Sequence, residues 1–169
     1  RTLKPLLYGK THPWRKYLFT EFHLHSNHNP WPQRTVRDER YKLIFNPLAG
    51  QVNPGYEFTI SKKFFHASEG ELLSHASDSV LAAYKLMRKP PMYELYDLNK
   101  DPHEFNNIFD DVEHDKTRTR LISELKKWQS ETGDALTCPE TARRLFDLVT
   151  KAGTVKRKAL DYSFMNSDN

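Results

Sequence analysis

Tyr93-Glu94-Leu95-Tyr96-Asp97-Leu98-Asn99-Lys100-Asp101-Pro102-His103-Glu104-Phe105-Asn106-Asn107 separates two unlike parts of the chain. Tyr93 to Leu98 is a run of aromatic and aliphatic residues, suited to a pleated, half-buried surface. Asn99 and Lys100 interrupt it. Asp101 then precedes Pro102, with Glu104 three residues on. That spacing predicts a capping box with proline at the first helical position, the Asp101 carboxylate accepting an amide of the first turn and Glu104 reaching back. The stretch therefore reads as strand, turn and helix start. It is a structural joint with no reaction centre in it.

On the N-terminal side of this joint the pattern is sheet and loop. Tyr17 to Phe22, Arg34 to Arg37 and Tyr41 to Asn46 are short strands. Asp38-Glu39 between the last two suits a tight hairpin, although no glycine marks a primed turn. Tyr41, Leu43 and Phe45 share one face of their strand, while Lys42, Ile44 and Asn46 share the other. Residues 47–77 are broken up by Pro47, Gly50, Pro54, Gly55 and Gly70, and a loop of that length is expected to be functional or partly helical. Asp78 to Arg88 has Val80, Leu81, Tyr84 and Met87 at helical spacing, and Lys89-Pro90-Pro91 stops it.

On the C-terminal side the pattern turns helical. Asp115 to Thr132 carries an apolar stripe of Leu121, Ile122, Leu125 and Trp128, with acids at its start and lysines toward its end, and Gly133 is placed to terminate it. A second helix runs from about Cys138 to Ala152, with Thr137 and Glu140 suited to a capping box and Gly153 as its stop. Strands followed by helices, without regular alternation, predict an α+β fold: a small antiparallel sheet of about four strands with helices packed on one face.

At 169 residues the chain is long enough for one domain with a real core. Aromatics at 12% argue against disorder. The net charge of +4 and pI near 9.1 permit an anionic partner without requiring one. A single cysteine, Cys138, excludes an internal disulfide. No apolar run approaches the roughly 18 residues of a membrane span. Nucleic-acid modules are absent, and acids balance the basic residues nearby. G-x-S-x-G, G-x-x-x-x-G-K-[ST] and H-E-x-x-H do not occur. Cys138 beside Pro139 sits at a helix start, which can lower a thiol pKa, but no base stands beside it in sequence.

Two constellations remain. His23, His25 and His28 could present imidazoles to zinc, although no fourth ligand is evident. A solvated polar loop is the simpler reading. A third is a lip whose His25, Asn27, His28 and Asn29 donate hydrogen bonds to a polar or anionic ligand. Arg34, Arg37, Arg40 and Lys42 form a basic group on two adjacent strands. Guanidinium groups bind sulfate or phosphate with paired donors. The plainer expectation is an exposed hairpin rim with one structural pair, such as Arg34 with Glu94.

The joint at 93–107 resembles the E-L-Y-D-L-x-x-D-P-x-E-x-x-N signature near the end of type I sulfatases, which belong to the alkaline-phosphatase-like superfamily. Other segments match in the same order. Pro5-Leu6-Leu7-Tyr8-Gly9-Lys10 is similar to the P-L-L-x-G segment leading out of the sulfatase catalytic domain. Phe19-Thr20, His25 and Pro32-Gln33-Arg34-Thr35-Val36 resemble the strand, His loop and strand of the heparan N-sulfatase (N-sulfoglucosamine sulfohydrolase) branch. Arg40 to Asn46 is similar to the following family strand. Trp128-Gln129-Ser130-Glu131-Thr132-Gly133-Asp134 with Cys138 resembles the end of that branch. Together the matches run from about residue 5 to 140.

The resemblance implies the C-terminal subdomain of a hydrolase acting on sulfate or N-sulfate groups of a sulfated sugar such as heparan sulfate. On that basis residues 1–16 are a lead-in from a catalytic domain, 17–153 the C-terminal subdomain and 154–169 a polar basic tail. The family attacks sulfur with a formylglycine made from Cys or Ser in C/S-x-P/A-S-R, beside a calcium ion. Here Cys138 is followed by Pro139-Glu140-Thr141-Ala142, so that motif is not met. Formylglycine and calcium are expected in the catalytic domain, upstream of Arg1, and the chain alone is expected to be inactive. The implied partners are that catalytic domain and a sulfated carbohydrate. The resemblance allows an exported parent, whether periplasmic, extracellular or lysosomal, while the residues themselves fix no compartment. Of the site candidates, His25 matches the family's pocket rim. His28 and Arg34 are the neighbouring candidates for substrate binding. The alternative is a non-catalytic module that binds sulfated glycans through the hairpin arginines and the His loop.

Overall fold

The computed structural model describes residues 3–10, 14–24, 30–60, 68–152 and 161–165. After a short helix α1 (Lys4–Leu7), four strands follow the expected order: β1 (Leu18–Phe22), β2 (Gln33–Arg37), β3 (Tyr41–Phe45) and β4 (Tyr93–Asp97). They form one antiparallel sheet whose spatial order is their chain order. Between β3 and β4 lie α2 (Pro54–Ile60), α3 (Glu69–Leu73) and α4 (Asp78–Arg88). The irregular 47–77 segment is thus partly helical, and Ser68 with Glu71 closes a reciprocal capping box at the start of α3. After β4 come α5 (Asp115–Thr132) and α6 (Pro139–Ala152).

The sheet's register explains the core. Phe19, Val36, Leu43 and Leu95 stand in one row across the strands. Val36, Leu43 and Leu95 are fully buried beneath Leu121 and Leu125 of α5. Phe19 stacks on Trp128 with ring centroids 5.3 Å apart. The period of two along the strands and the helical stripe of α5 meet at this layer, as the sequence pattern requires. A second cluster joins Trp31 and Leu48 to Leu136, Ala142, Leu145 and Val149. Tyr162, Phe164 and Met165 pack against it, so this part of the tail docks on α6.

The β2–β3 hairpin turns without glycine because Asp38 builds it. Its Oδ1 accepts the amides of Arg40 (2.9 Å) and Tyr41 (2.7 Å). Its Oδ2 receives Arg120 of α5 at 2.7 Å, which ties the turn to the helix.

The expected helix at Asp101 does not form. Asp101 Oδ2 accepts the Asn106 amide at 2.7 Å, and Glu104 adopts φ +59°, outside helical conformation. Tertiary partners override the local capping signal. Glu104 is pulled across to Lys42 of β3, 2.7 Å from its Nζ. The chain then returns along β4: Asn107 Oδ1 accepts the Leu95 amide at 2.9 Å and the Ile108 amide donates to the Leu95 carbonyl at 2.9 Å. Helical structure resumes at the 3₁₀ turn Val112–His114, where Asp111 caps the Glu113 amide.

Gly133 ends α5 in the left-handed region, at φ +64° and ψ +38°. A Cβ there meets the following carbonyl, so Gly133→Ala is expected to cost about 1 kcal/mol. A lower urea midpoint with an unchanged slope is the expected result; an unchanged midpoint would contradict the strain.

Candidate functional site

The loop between β1 and β2 starts and ends on a paired position, Phe22 opposite Gln33. His25 and His28, with Asn27 and Asn29, lie outside the described residues, so the three-histidine cluster is placed only at His23. The far end of the loop is anchored: Pro30, Trp31 and Pro32 are buried, and Trp31 packs into the second core.

Arg34 holds the base of this loop. It was expected on an exposed rim, facing an anion or Glu94, and it is instead 1% exposed. Nε and Nη2 grip the Asp134 carboxylate at 2.8 and 2.7 Å, a bidentate pair. Nη1 donates to the Phe22 carbonyl at 3.2 Å and to the Gln33 carbonyl at 2.9 Å. Nη2 also reaches His23 Nε2 at 2.9 Å. A guanidinium has five N–H donors, and these contacts engage all of them. Arg34 thus clasps both ends of the loop and ties them to the α5–α6 junction. Its side chain has no donor left over for a sulfate.

Strand parity explains why the partner is not Glu94. Arg34 pairs with Phe45, and Phe45 with Tyr93, so these share a row. Glu94 lies one residue on and projects from the opposite face. There it accepts Asn46 Nδ2 at 2.7 Å and the Tyr96 hydroxyl. Burial pushes the Glu94 carboxyl up, against the opposing hydrogen bonds of Tyr96 and Asn46. Asp134 was missed because it sits a hundred residues from Arg34. The only signal for it was the Gly133-Asp134 pair after the apolar helix.

Burial alone would raise the Asp134 carboxyl. The hydrogen bonds and charge of Arg34, with the Leu136 amide and Gln129, outweigh that and hold it below the ordinary value. His23 moves down as well, through burial first and the Arg34 charge second, with Glu21 and Asp134 opposing. Both shifts keep the ring neutral and the carboxylate charged near pH 7.

Two of the other three hairpin cations are also committed to carboxylates. Arg40 forks onto Asp97 at 2.6 and 3.0 Å, and Lys42 is held by Glu104. Arg37 is exposed, with its Nε 3.3 Å from the Asp38 carbonyl. On the sheet face away from α5, a cleft of about 380 Å³ opens between the sheet and α4, lined by Trp31, Gln33, Ile44, Met87, Glu94 and Tyr96 among others.

Cys138 is exposed, and its thiol lies 2.5 Å from Glu140 Oε2. Glu140 therefore turns to Cys138, and Pro139 opens α6. Among the described residues, no three His, Cys, Asp or Glu side chains come together in a way that could hold a metal ion.

Residues 55–131 match the family model described as N-sulphoglucosamine sulphohydrolase, C-terminal. Over 137 residues the chain is 27% identical to an ulvan-active sulfatase of Formosa agariphila, covering 78% of this chain and 24% of that protein. Over 113 residues it is 29% identical to N-sulphoglucosamine sulphohydrolase of Homo sapiens, covering 64% of this chain and 22% of that protein. The chain spans about a quarter of the length of the curated relatives it matches. Similar solved structures include a 2-O GAG sulfatase, at 20% identity and TM-score 0.49, covering 79% of this chain and 20% of that one. Another was solved with D-glucosamine-2-N,6-O-disulfate, at 20% identity and TM-score 0.44, covering 76% of this chain and 19% of that one.

Proposed function

We propose that this chain, a sulfatase C-terminal domain related to N-sulfoglucosamine sulfohydrolase, forms the scaffold and substrate-pocket rim of an enzyme that hydrolyses sulfate or N-sulfate groups on a sulfated sugar. The family match carries the reading, since it spans the 93–107 joint whose residues pin the sheet. Glu94, Asp97, Glu104 and Asn107 each hold a named partner in β3 or β4 or at an end of β3. They are framework, and none of them is a reacting group. Calcium and a formylglycine nucleophile belong, in this reading, to a catalytic domain that is the chain's partner.

The rim is the His loop. His25 and His28 are its donors toward the sulfated sugar, and Arg34 serves them by clasping the loop's two ends. A stand-alone glycan-binding module would draw on several hairpin cations at once, and the commitment of Arg40 to Asp97 and Lys42 to Glu104, which leaves the exposed Arg37 to act without them, disfavours it.

The isolated chain is expected to leave N-sulfoglucosamine intact, and turnover by the pure chain would sink the proposal. Joined to its catalytic domain, the enzyme should release sulfate. There, His25→Ala removes one hydrogen bond to substrate, worth about 0.5–1.5 kcal/mol, or roughly a 2- to 12-fold rise in KM. Unchanged kinetics would take His25 out of the rim.

A further inference from the structure

We infer that His23 is a neutral hydrogen-bond donor to the sulfated sugar, its single ring proton fixed on Nδ1 by the Asp134–Arg34 pair. This rests on the rim function proposed above and adds a residue to it.

The tautomer follows from the geometry. A guanidinium carries donors and no acceptor, so the 2.9 Å contact from Arg34 Nη2 requires a lone pair on His23 Nε2. The one proton of the neutral ring then sits on Nδ1, because the hydrogen bond at one ring nitrogen sets the state of the other. Three charged groups face the ring. Arg34 comes from β2, Asp134 from the α5–α6 junction, and Glu21 from β1 with its Oε2 3.7 Å from Nε2. Glu21 and Asp134 both favour protonation, but the Glu21 side chain is 54% exposed, so water screens it, and the Asp134 carboxylate is taken up by Arg34. Arg34 and Asp134 are 1% and 5% exposed and locked in a bidentate pair. The buried pair therefore decides the ring's state. Protonating Nε2 would set N–H against N–H and break the contact to Arg34.

His23 also has the access a ligand contact needs. Its side chain is 40% exposed, at the first position after β1, where the loop begins. Sulfate oxygens accept hydrogen bonds, and Nδ1–H is a donor whose strength does not depend on a charge that comes and goes near pH 6.5. Arg34 and Asp134 act through His23 and are positioning residues.

The test uses this chain labelled with ¹⁵N-histidine. Long-range ¹H–¹⁵N correlations at neutral pH should show His23 with a bare Nε2 and a protonated Nδ1. Asp134→Asn and Arg34→Met should each loosen that preference, read as movement of both nitrogen shifts toward tautomer averaging; should Arg34→Met not fold, Asp134→Asn and the unmodified chain still decide. A proton on Nε2 in the unmodified chain overturns the inference without any ligand. With the labelled chain joined to its catalytic domain, titration with N-sulfoglucosamine should then move the Nδ1 resonance. If the sugar shifts other loop resonances and leaves His23 untouched, His23 is not a contact and the rim function stands. If Nδ1 is protonated and no resonance in the chain responds to the sugar, the donor role falls together with the rim function.

Discussion

Asp134→Ala should destabilise the domain by about 3–5 kcal/mol, the usual consequence of leaving a buried charge without its partner. The guanidinium of Arg34 would keep its two backbone carbonyls and lose both carboxylate bonds. Against a total stability of about 5–15 kcal/mol, that loss brings the fold near its threshold. Urea unfolding of the two proteins measures it. A loss under about 1 kcal/mol would mean that the pair behaves like a surface contact. The double variant Arg34→Met with Asp134→Leu should recover much of the loss, because it removes the desolvated charges as well as the pair. It should also free the loop, so stability and substrate binding would part company in that variant. The pair has a pH signature too. Asp134 titrates below its ordinary value in the fold. Its contribution is therefore complete above the unfolded carboxyl's pKa and is lost as pH falls through the folded one.

Leu43→Ala should cost about 2–5 kcal/mol. Leu43 is 0% exposed, flanked in register by Val36 and Leu95 and covered by α5. Truncation leaves a hole walled by strands on both sides, which cannot close without shifting the sheet. Thermal or urea unfolding reports it, and a cost near zero would mean that α5 sinks to fill the gap. Leu18→Ala on the opposite face is the control: Leu18 is 40% exposed and should change stability by less than about 1 kcal/mol.

The two costs illustrate how much of the molecule could be read before its coordinates. Leu43 was legible, because alternation along Tyr41 to Phe45 marks the buried face and the stripe of Leu121 and Leu125 supplies its cover. The helices 78–88 and 115–132 were legible for the same reason of strict periodicity with clear stops. The Asp101 capping signal misled, because a local cap worth about 1 kcal/mol competes with Glu104 reaching Lys42 and with the return of the chain along β4. Those partners lie on another strand, and no local window contains them. Arg34 was singled out for the right chemistry, bidentate recognition of an acidic group, and for the wrong acid. The partner turned out to be a carboxylate of the chain itself. Parity along β4 already excluded Glu94, whereas Asp134 emerges only once α5 has folded back over the sheet. His25 and His28 stay at the level of sequence.

The return of the chain along β4 reaches beyond the joint itself. An outermost strand normally offers a row of free amides and carbonyls to any passing strand, including one from a second copy. Asn107 and Ile108 occupy the outward amide and carbonyl of Leu95, the middle of β4. A side chain and one backbone amide thus take the place of a fifth strand. Lateral self-association through β4 is blocked at its centre, and among the described residues β1 is the other outermost strand of this sheet.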